Sequence, residues 1–508
     1  MRLHRFHGGL RLAGHKAEST RDGLRTCTLP ECLQVSLLQH AGEAALPCVA
    51  VGEVVVAGQR IGVATGEFSA HVHAPASGRV RSVSSRPVPH LPGVEALHVG
   101  IAVDAIQPAA PLALPAMDAA TATPGELRER VREAGIVGLG GAGFPTAEKL
   151  SAGRELLVLN GAECEPWMAC DDALLRAHAG DVLRGGLLLA RAVGATRVLL
   201  AIEDRMAEAL AAAHAAATAL NDHESSAVEV VAVPTRYPAG GERQLIQVLT
   251  GREVPRGGLP RDLGILVHNV ATARAAWRAV ALGEVLVSRI VSVTGRGVAD
   301  PANYVVPLGT PVSHLVTQAG GYTPAAARLL LGGPMMGQAL AHDEVPIGKT
   351  QGAVLVLSSD DVADERGEMP CIRCGDCASA CPSRLQPQML LWQLRADRLD
   401  RASDQGLFDC IECGACDLVC PSHIPLTAHF RHGKSTLRLR ALDAGRAQAA
   451  RERHESRQQR LERESRERAE RDARRASALD ASSDDAVAAA LARARAKRAA
   501  AADPGTPP

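Results

Sequence analysis

The sequence predicts a multidomain chain of α/β and α+β character, and three observations predict it. Between 29 and 104, short alternating apolar runs are broken by Gly, Pro and Ser turns, the pattern of an all-β module. Between 125 and 285, helical and strand patterns alternate, the pattern of a parallel sheet covered by helices. Between 366 and 434 stand eight of the thirteen cysteines, in two copies of one spacing. A chain of 508 residues has room for these and a further small domain.

Composition narrows the classes. Aromatic residues are 2% of a chain that is 46% hydrophobic, so Leu, Val, Ile and Ala must fill the cores. The formal net charge is zero, which argues against nucleic acid as the main partner. No apolar run reaches the roughly 18 residues of a membrane span. The best candidate, 183–202, is interrupted by Arg184, Arg191 and Arg197. The opening MRLHRFHGGLRLAGHK has no apolar centre, so no secretory signal is expected.

Residues 1–28 read as an irregular arm. The module at 29–104 carries Val51-Gly52-Glu53-Val54, Ala57-Gly58-Gln59 and Ala74-Pro75-Ala76-Ser77-Gly78. These phrases resemble the barrel-sandwich fold of lipoyl and biotinyl carriers. The corresponding turn, 66–73, has no lysine to modify, so an unmodified structural relative is expected. His71, His73 and His90 lack ligand spacing and read as packing or solvated residues. The other cysteines, Cys27, Cys32, Cys48, Cys164 and Cys170, read as idle thiols.

Residues 105–124 are rich in Ala and Pro and read as a linker. Thr123-Pro124-Gly125-Glu126 opens a helix. Gly138, Gly140 and Gly143 then satisfy G-x-G-x-x-G, with Gly141 between them, but a helix precedes them where a dinucleotide fingerprint needs a strand. The following strand ends in Asn160-Gly161-Ala162-Glu163-Cys164-Glu165, a polar cluster at a carboxyl end, where α/β folds hold ligands. Lys149 lies just before that strand. Tyr237 to Glu242 and His268 to Thr272 follow two more predicted strand ends.

Residues 286–345 read as two strands and a short helix, 346–365 as a connector. The domain at 366–434 holds CIRCGDCASACP and CIECGACDLVCP, each C-x2-C-x2-C-x3-C-P. That duplicated spacing is the bacterial ferredoxin signature for two [4Fe–4S] clusters. Zinc sites favour separated cysteine pairs, and disulfides do not suit a chain without an export signal. In two-cluster ferredoxins the fourth cysteine ligates the other cluster. Cys371, Cys374, Cys377 and Cys420 would hold one cluster, and Cys410, Cys413, Cys416 and Cys381 the second. The tail at 435–508 is rich in Ala, Arg and Glu. Glu462–Arg466, Glu464–Arg468, Glu467–Arg471 and Glu470–Arg474 favour a helix with no apolar stripe, expected to stand in solvent.

GLGGAGFPTAEKL resembles the flavin loop GRGGAGFPTGLKW of the 51-kDa NADH-binding subunit of complex I, and NGAECEP resembles its NADEGEP. Over about 30–430 the chain resembles the RnfC/RsxC family, a component of the Rnf/Rsx ion-translocating electron-transport complex. The resemblance rests on VGLGGAGFPTAEKL, LNGAECEPWMACDD, AIED, YPAGGERQLIQVLTGREVP and both cysteine motifs. It implies a Rossmann-like FMN/NADH domain at 125–285, an SLBB-type β-grasp domain at 286–345 and a helical ferredoxin-like domain at 366–434.

It also implies roles. Gly138, Gly140, Gly141 and Gly143 would let the backbone approach FMN. Lys149 would pair with the phosphate. Asn160 and Glu163 would lie beside flavin or nicotinamide, and Glu242, Asn269 and Thr272 would complete the pocket. Leu139, Ala162 and Arg243 depart from the complex I pattern, which touches the NADH pose most. The implied protein is a peripheral subunit at the cytoplasmic face of a bacterial inner membrane. It would pass electrons between NADH, FMN and two clusters, coupled to a ferredoxin-like carrier through partner subunits. The rivals are a flavin-dependent corrin reductase, whose barrel-sandwich module is not N-terminal, and a non-catalytic iron–sulfur relay scaffold.

Overall fold

The computed structural model describes residues 2–88, 91, 93–107, 111–151, 153–221, 228–362 and 367–501. His90 lies outside the described residues. The chain divides into two units, Met1–Arg431 and His432–Pro508.

In the first unit, strands Cys32–Ser36, Glu95–Val103, Gly78–Pro87 and Val54–Val55 form one sheet. Leu46–Pro47, Arg60–Val63 and Val72–His73 form a second. Leu33, Val35, Ile61, Val72, Val99 and Ile101 fill the space between them, as alternate residues of half-buried strands should. His71 and His73 are buried, and burial pushes their pKa values down to about 4 and about 3. They are neutral packing residues, and Ala64 N–H donates to His71 Nδ1 at 3.1 Å. Of the cysteines expected to be idle, Cys27 and Cys170 are buried while Cys48 is exposed.

The second domain is a four-stranded parallel sheet ordered Val228–Val233, Arg197–Glu203, Leu156–Gly161, Ile265–Asn269. Its strands are apolar on both faces. Leu157 and Leu159 join one core with helices Pro124–Glu133, Cys170–Val193 and Val270–Ala281. Leu156 and Val158 point to the other, which holds helix Glu242–Thr250. Thr123 and Glu126 form a reciprocal capping box on the first helix, satisfying two amide donors at its start.

The third domain departs from the expected boundaries. Its sheet runs Arg25–Thr26, Ala302–Pro307, Ser288–Thr294, Ala353–Ser358, Ala326–Leu331, Gln338–Ala339. Helix Val312–Gln318 packs on it through Val312, Leu315 and Val316. Strand Ala353–Ser358 lies inside the span expected to be a connector. All six of its residues are buried, so it shows an apolar run without the alternation that betrays a half-exposed strand. The N-terminal arm is also structural. Arg25 and Thr26 pair with Tyr304 and Val305, and Phe6 enters the core around helix Glu242–Thr250. The linker is tied down as well, with Leu112 N–H donating to Ala57 O and Leu114 N–H to Gly283 O, each at 2.7 Å.

The last domain of this unit is built of short helices, Asp376–Ala380, Pro387–Arg395, Leu399–Asp404 and Ala415–Leu418. A long helix, Leu426–Ala501, follows. There, residues 451–480 are exposed throughout, as an arginine- and glutamate-rich run without an apolar stripe should be. Arg460 pairs with Glu464 at 3.6 Å with arginine leading, and Arg471 donates to the Glu467 carbonyl rather than to its carboxylate.

Candidate cofactor sites

Strand order in the parallel sheet reverses between Leu156–Gly161 and Ile265–Asn269, the place where such sheets open a ligand crevice. Asn160 and Asn269 are register partners there, at neighbouring carboxyl ends. The glycine segment lies against them. Gly138 N–H donates to Phe144 O at 2.8 Å and closes the loop. Gly140 and Gly141 are exposed at its tip. A Cβ on Gly140 would stand 3.1 Å from Asn269 Cβ. Gly143 has φ +62°, and a Cβ there would meet Thr350 Cγ2 at 2.8 Å, so both conformation and space demand glycine.

The polar residues are mutually engaged. Asn160 Nδ2 donates to Gly240 O at 2.9 Å, and its Oδ1 accepts from Ala162 N–H at 3.0 Å. Asn269 Oδ1 caps helix Val270–Ala281 by accepting from Ala271 N–H at 2.8 Å, and its Nδ2 donates to Asp171 Oδ2 at 2.6 Å. Thr272 is fully buried, and its hydroxyl accepts from Leu139 N–H at 2.9 Å. It therefore holds the glycine loop from beneath. Lys149 Nζ is 3.4 Å from Glu242 Oε1 and 3.4 Å from Val267 O. A bare, exposed loop tip over the carboxyl ends of two strands, with one ammonium in the same domain, fits a phosphorylated ligand such as a flavin.

Glu163, expected beside flavin or nicotinamide, has both carboxyl oxygens engaged within the protein. It is buried, and accepts from Asp171 N–H, Asp172 N–H and Cys170 Sγ at 3.2–3.3 Å, a cap on helix Cys170–Val193. Lys16, from the arm, stands 3.4 Å from Glu163 Oε2 and also donates to Met168 O. Burial lowers the Lys16 pKa, but Glu163, Glu203 and Asp172 more than offset this and leave it raised. Arg289, buried in the third domain, donates to Lys349 O at 2.5 Å and to Leu139 O at 3.5 Å behind the glycine loop. Sequence reasoning singled out none of Lys16, Asp171, Glu203 and Arg289, the charged groups gathered around Glu163. Asp171 and Glu203 stand within the motif phrases LNGAECEPWMACDD and AIED; Lys16 and Arg289 carry no local signal.

The cysteine motifs adopt matching conformations. Arg373 and Glu412 (φ +61°, +56°), Gly375 and Gly414 (+86°, +72°), and Arg384 and His423 (+54°, +49°) occupy equivalent positions and share the left-handed region. Cys371, Cys374, Cys377 and Cys420 line one cavity of about 190 Å³. Among the described residues, no three His, Cys, Asp or Glu side chains converge tightly enough to hold a metal ion. The thiols instead surround a space, and a four-thiolate cavity of this kind fits an iron–sulfur cubane. In the second set, Cys413 lies within electrostatic reach of Cys410 and Cys381, and Cys416 of Cys410 and Cys413. Cys381, Cys413 and Cys416 are buried, whereas Cys374 is exposed.

Comparison with known families follows the same order along the chain. Residues 4–105 match the RnfC barrel sandwich hybrid domain, 131–278 the Nuo51 FMN-binding domain, 290–339 the SLBB domain and 364–424 the 4Fe-4S dicluster domain. The RnfC component of the ion-translocating oxidoreductase complex of Pseudomonas aeruginosa is 45% identical over 460 residues, 90% of this chain and 58% of that protein. The chain thus spans little more than half the length of that relative. The RnfC component of Serratia proteamaculans is 41% identical over 98% of this chain and 70% of its own length, and that of Rhodobacter capsulatus 40% identical over 85% and 83%. Among solved structures, the NAD+-reducing [NiFe]-hydrogenase in the air-oxidised state overlays with a TM-score of 0.45 at 24% identity, over 60% of this chain and 63% of that one. By identity and coverage, the chain belongs to the RnfC family of ion-translocating oxidoreductase components.

Proposed function

We propose that the protein is the peripheral electron-input subunit of an Rnf/Rsx-type complex, at the cytoplasmic face of a bacterial inner membrane. It passes electrons between NADH, FMN and two [4Fe–4S] clusters, and partner subunits connect it to a ferredoxin-like carrier and to ion movement. Among the described residues no helix is long and apolar enough to cross a membrane.

Bound in the crevice, FMN would exchange hydride with a nicotinamide and single electrons with the clusters. Gly140 and Gly141 at the exposed tip would leave room for it, Gly138 and Gly143 would set the shape of the loop, Lys149 would offer charge to its phosphate, and Asn160 and Asn269 would form the crevice floor. Thr272 and Glu242 support the loop and the lysine. Cys371, Cys374, Cys377 and Cys420 would hold one cluster, and Cys410, Cys413, Cys416 and Cys381 the other.

One observation carries the reading. Tyr237, Ala380, Cys413 and Ala415 form a single buried apolar group, against which Cys164 and Met335 pack. Cys164 belongs to the segment that follows Asn160, and Gly240 N–H donates to its sulfur at 3.2 Å. Crevice and cluster ligands therefore share packed atoms, which suits electron passage between them. The test is anaerobic purification with quantification of cofactors. The expected content is about one FMN with about eight iron and about eight sulfide per chain, as two cubanes require. Iron and sulfide without flavin, after reconstitution with FMN, would reduce the protein to a relay.

A further inference from the structure

Along the carboxyl edge of the parallel sheet, acidic side chains form a lane that leads from the crevice to solvent. Asn269, at the crevice, holds Asp171 Oδ2 at 2.6 Å. The Asp171 amide donates to Glu163 Oε1 at 3.3 Å. Lys16 pairs with Glu163 Oε2 at 3.4 Å and also faces Glu203. Glu203 ends the next strand of the sheet and is 1% exposed. Its Oε2 lies 3.5 Å from Thr235 Oγ1, while Oε1 is buried with no hydrogen-bond partner. The Thr235 hydroxyl is 2.7 Å from Asp204 Oδ1, and Asp204 is exposed.

The charges in this lane do not balance. Glu163, Asp171 and Glu203 are three carboxylates, faced by two cations, Lys16 and Arg289. Asp172 is taken up by Arg176, and Glu165 by the Met335 and Met336 amides. The Cys164 and Cys170 thiols are held neutral by burial. A surplus buried carboxylate is costly unless it holds a proton. Burial pushes Glu203 up to about 7 despite Lys16. Burial, then Glu163, pushes Asp171 up. With the Thr235 hydroxyl donating to Asp204, a proton on Glu203 would sit on Oε2, facing the Thr235 oxygen.

We propose that Asp171, Glu163, Glu203 and Thr235 are a proton relay between the flavin crevice and Asp204 at the surface. The proposal rests on flavin occupying that crevice. When a two-electron-reduced flavin carrying one transferable proton on N5 is oxidised, two electrons leave and one proton remains. The clusters take the electrons but no proton. The N–H bond breaks as an O–H bond forms at the Asp171 carboxylate. Asp171, Glu163 and Glu203 together would then hold one proton more than their charge surplus requires, and Glu203 gives one up from Oε2 to the Thr235 oxygen as the Thr235 hydroxyl gives its own to Asp204. Solvent takes the last proton.

The test uses the flavin- and cluster-replete protein, with content measured first. Electrochemically driven infrared difference spectra should show a protonated carboxyl band that changes with flavin oxidation state. Glu203→Gln should abolish that band, slow flavin reoxidation on the order of 10²-fold and raise its solvent isotope effect, with flavin and iron content unchanged. Thr235→Val, outside the core, should slow the same step, and Thr235→Ser should restore it. A flavin-replete parent in which the band and rate ignore both Glu203→Gln and Thr235→Val would overturn the relay alone. A parent that binds no flavin would overturn the proposed function, and the relay with it.

Discussion

The Tyr237 hydroxyl donates to the backbone carbonyl of Cys413 at 2.6 Å. Tyr237 follows a strand of the parallel-sheet domain, and Cys413 belongs to the second cysteine motif, so this bond joins the parallel-sheet domain to the cysteine-motif domain. Burial, with Glu165 and Cys413 nearby, pushes the phenol far up and keeps it a donor. Tyr237→Phe would leave the Cys413 carbonyl buried without that partner, a loss of about 1–3 kcal/mol. The expected outcome is a less stable holoprotein in chemical denaturation, with slower passage of electrons from flavin to cluster and unchanged iron content. A variant as stable as the parent would remove this bond from the account.

Lys149→Ala is expected to weaken FMN binding and leave cluster content untouched. Lys149 is half-buried beside Glu242, far along the chain from the cysteines, and supplies the crevice with a point charge. Flavin titration by fluorescence, with iron analysis of the same sample, measures both. Equal FMN affinity in variant and parent would take Lys149 out of the site.

Lys349 is fully buried where three domains meet, donating to His71 O at 2.8 Å and Gly135 O at 2.7 Å. Burial lowers its pKa from 10.5 to about 7. Between those values the unfolded chain holds a proton that the folded chain releases. The stability linked to this residue is therefore full above the unfolded value and is lost as pH falls through the folded one. Lys349→Met should flatten that slope, gaining on the parent as pH falls from about 10 to about 7 in denaturant titrations. Parallel pH profiles for the two proteins would contradict the assignment.

Cys420→Ser tests the cross-ligation. It should damage the cluster held by Cys371, Cys374 and Cys377, because all four side chains line one cavity and serine oxygen poorly replaces thiolate on iron. Cys381→Ser should affect the other site. A structure of Cys420→Ser with the Cys371–Cys377 cluster intact and the Cys410–Cys416 loop emptied would reverse the pairing.

Local signals carry much of this fold. The cysteine spacing marks the cluster domain, and alternation marks the barrel-sandwich strands, because each pattern is set within a few residues. Ala353–Ser358 reads as connector in the sequence because a strand buried on both faces has no alternation. The arm reads as irregular because its partners, Tyr304 and Tyr237 among them, lie hundreds of residues away. The same limit hides Lys16 and Arg289. The strand-end positions of Asn160 and Asn269 are legible in the sequence, whereas the helix-capping position of Glu163 depends on where helix Cys170–Val193 begins.

The most direct measurement of the central claim is anaerobic stopped-flow mixing of the flavin- and cluster-replete protein with NADH, followed at flavin and cluster wavelengths. The flavin is expected to bleach first, with cluster reduction following. A flavin-replete sample whose flavin spectrum NADH leaves unchanged would contradict that claim.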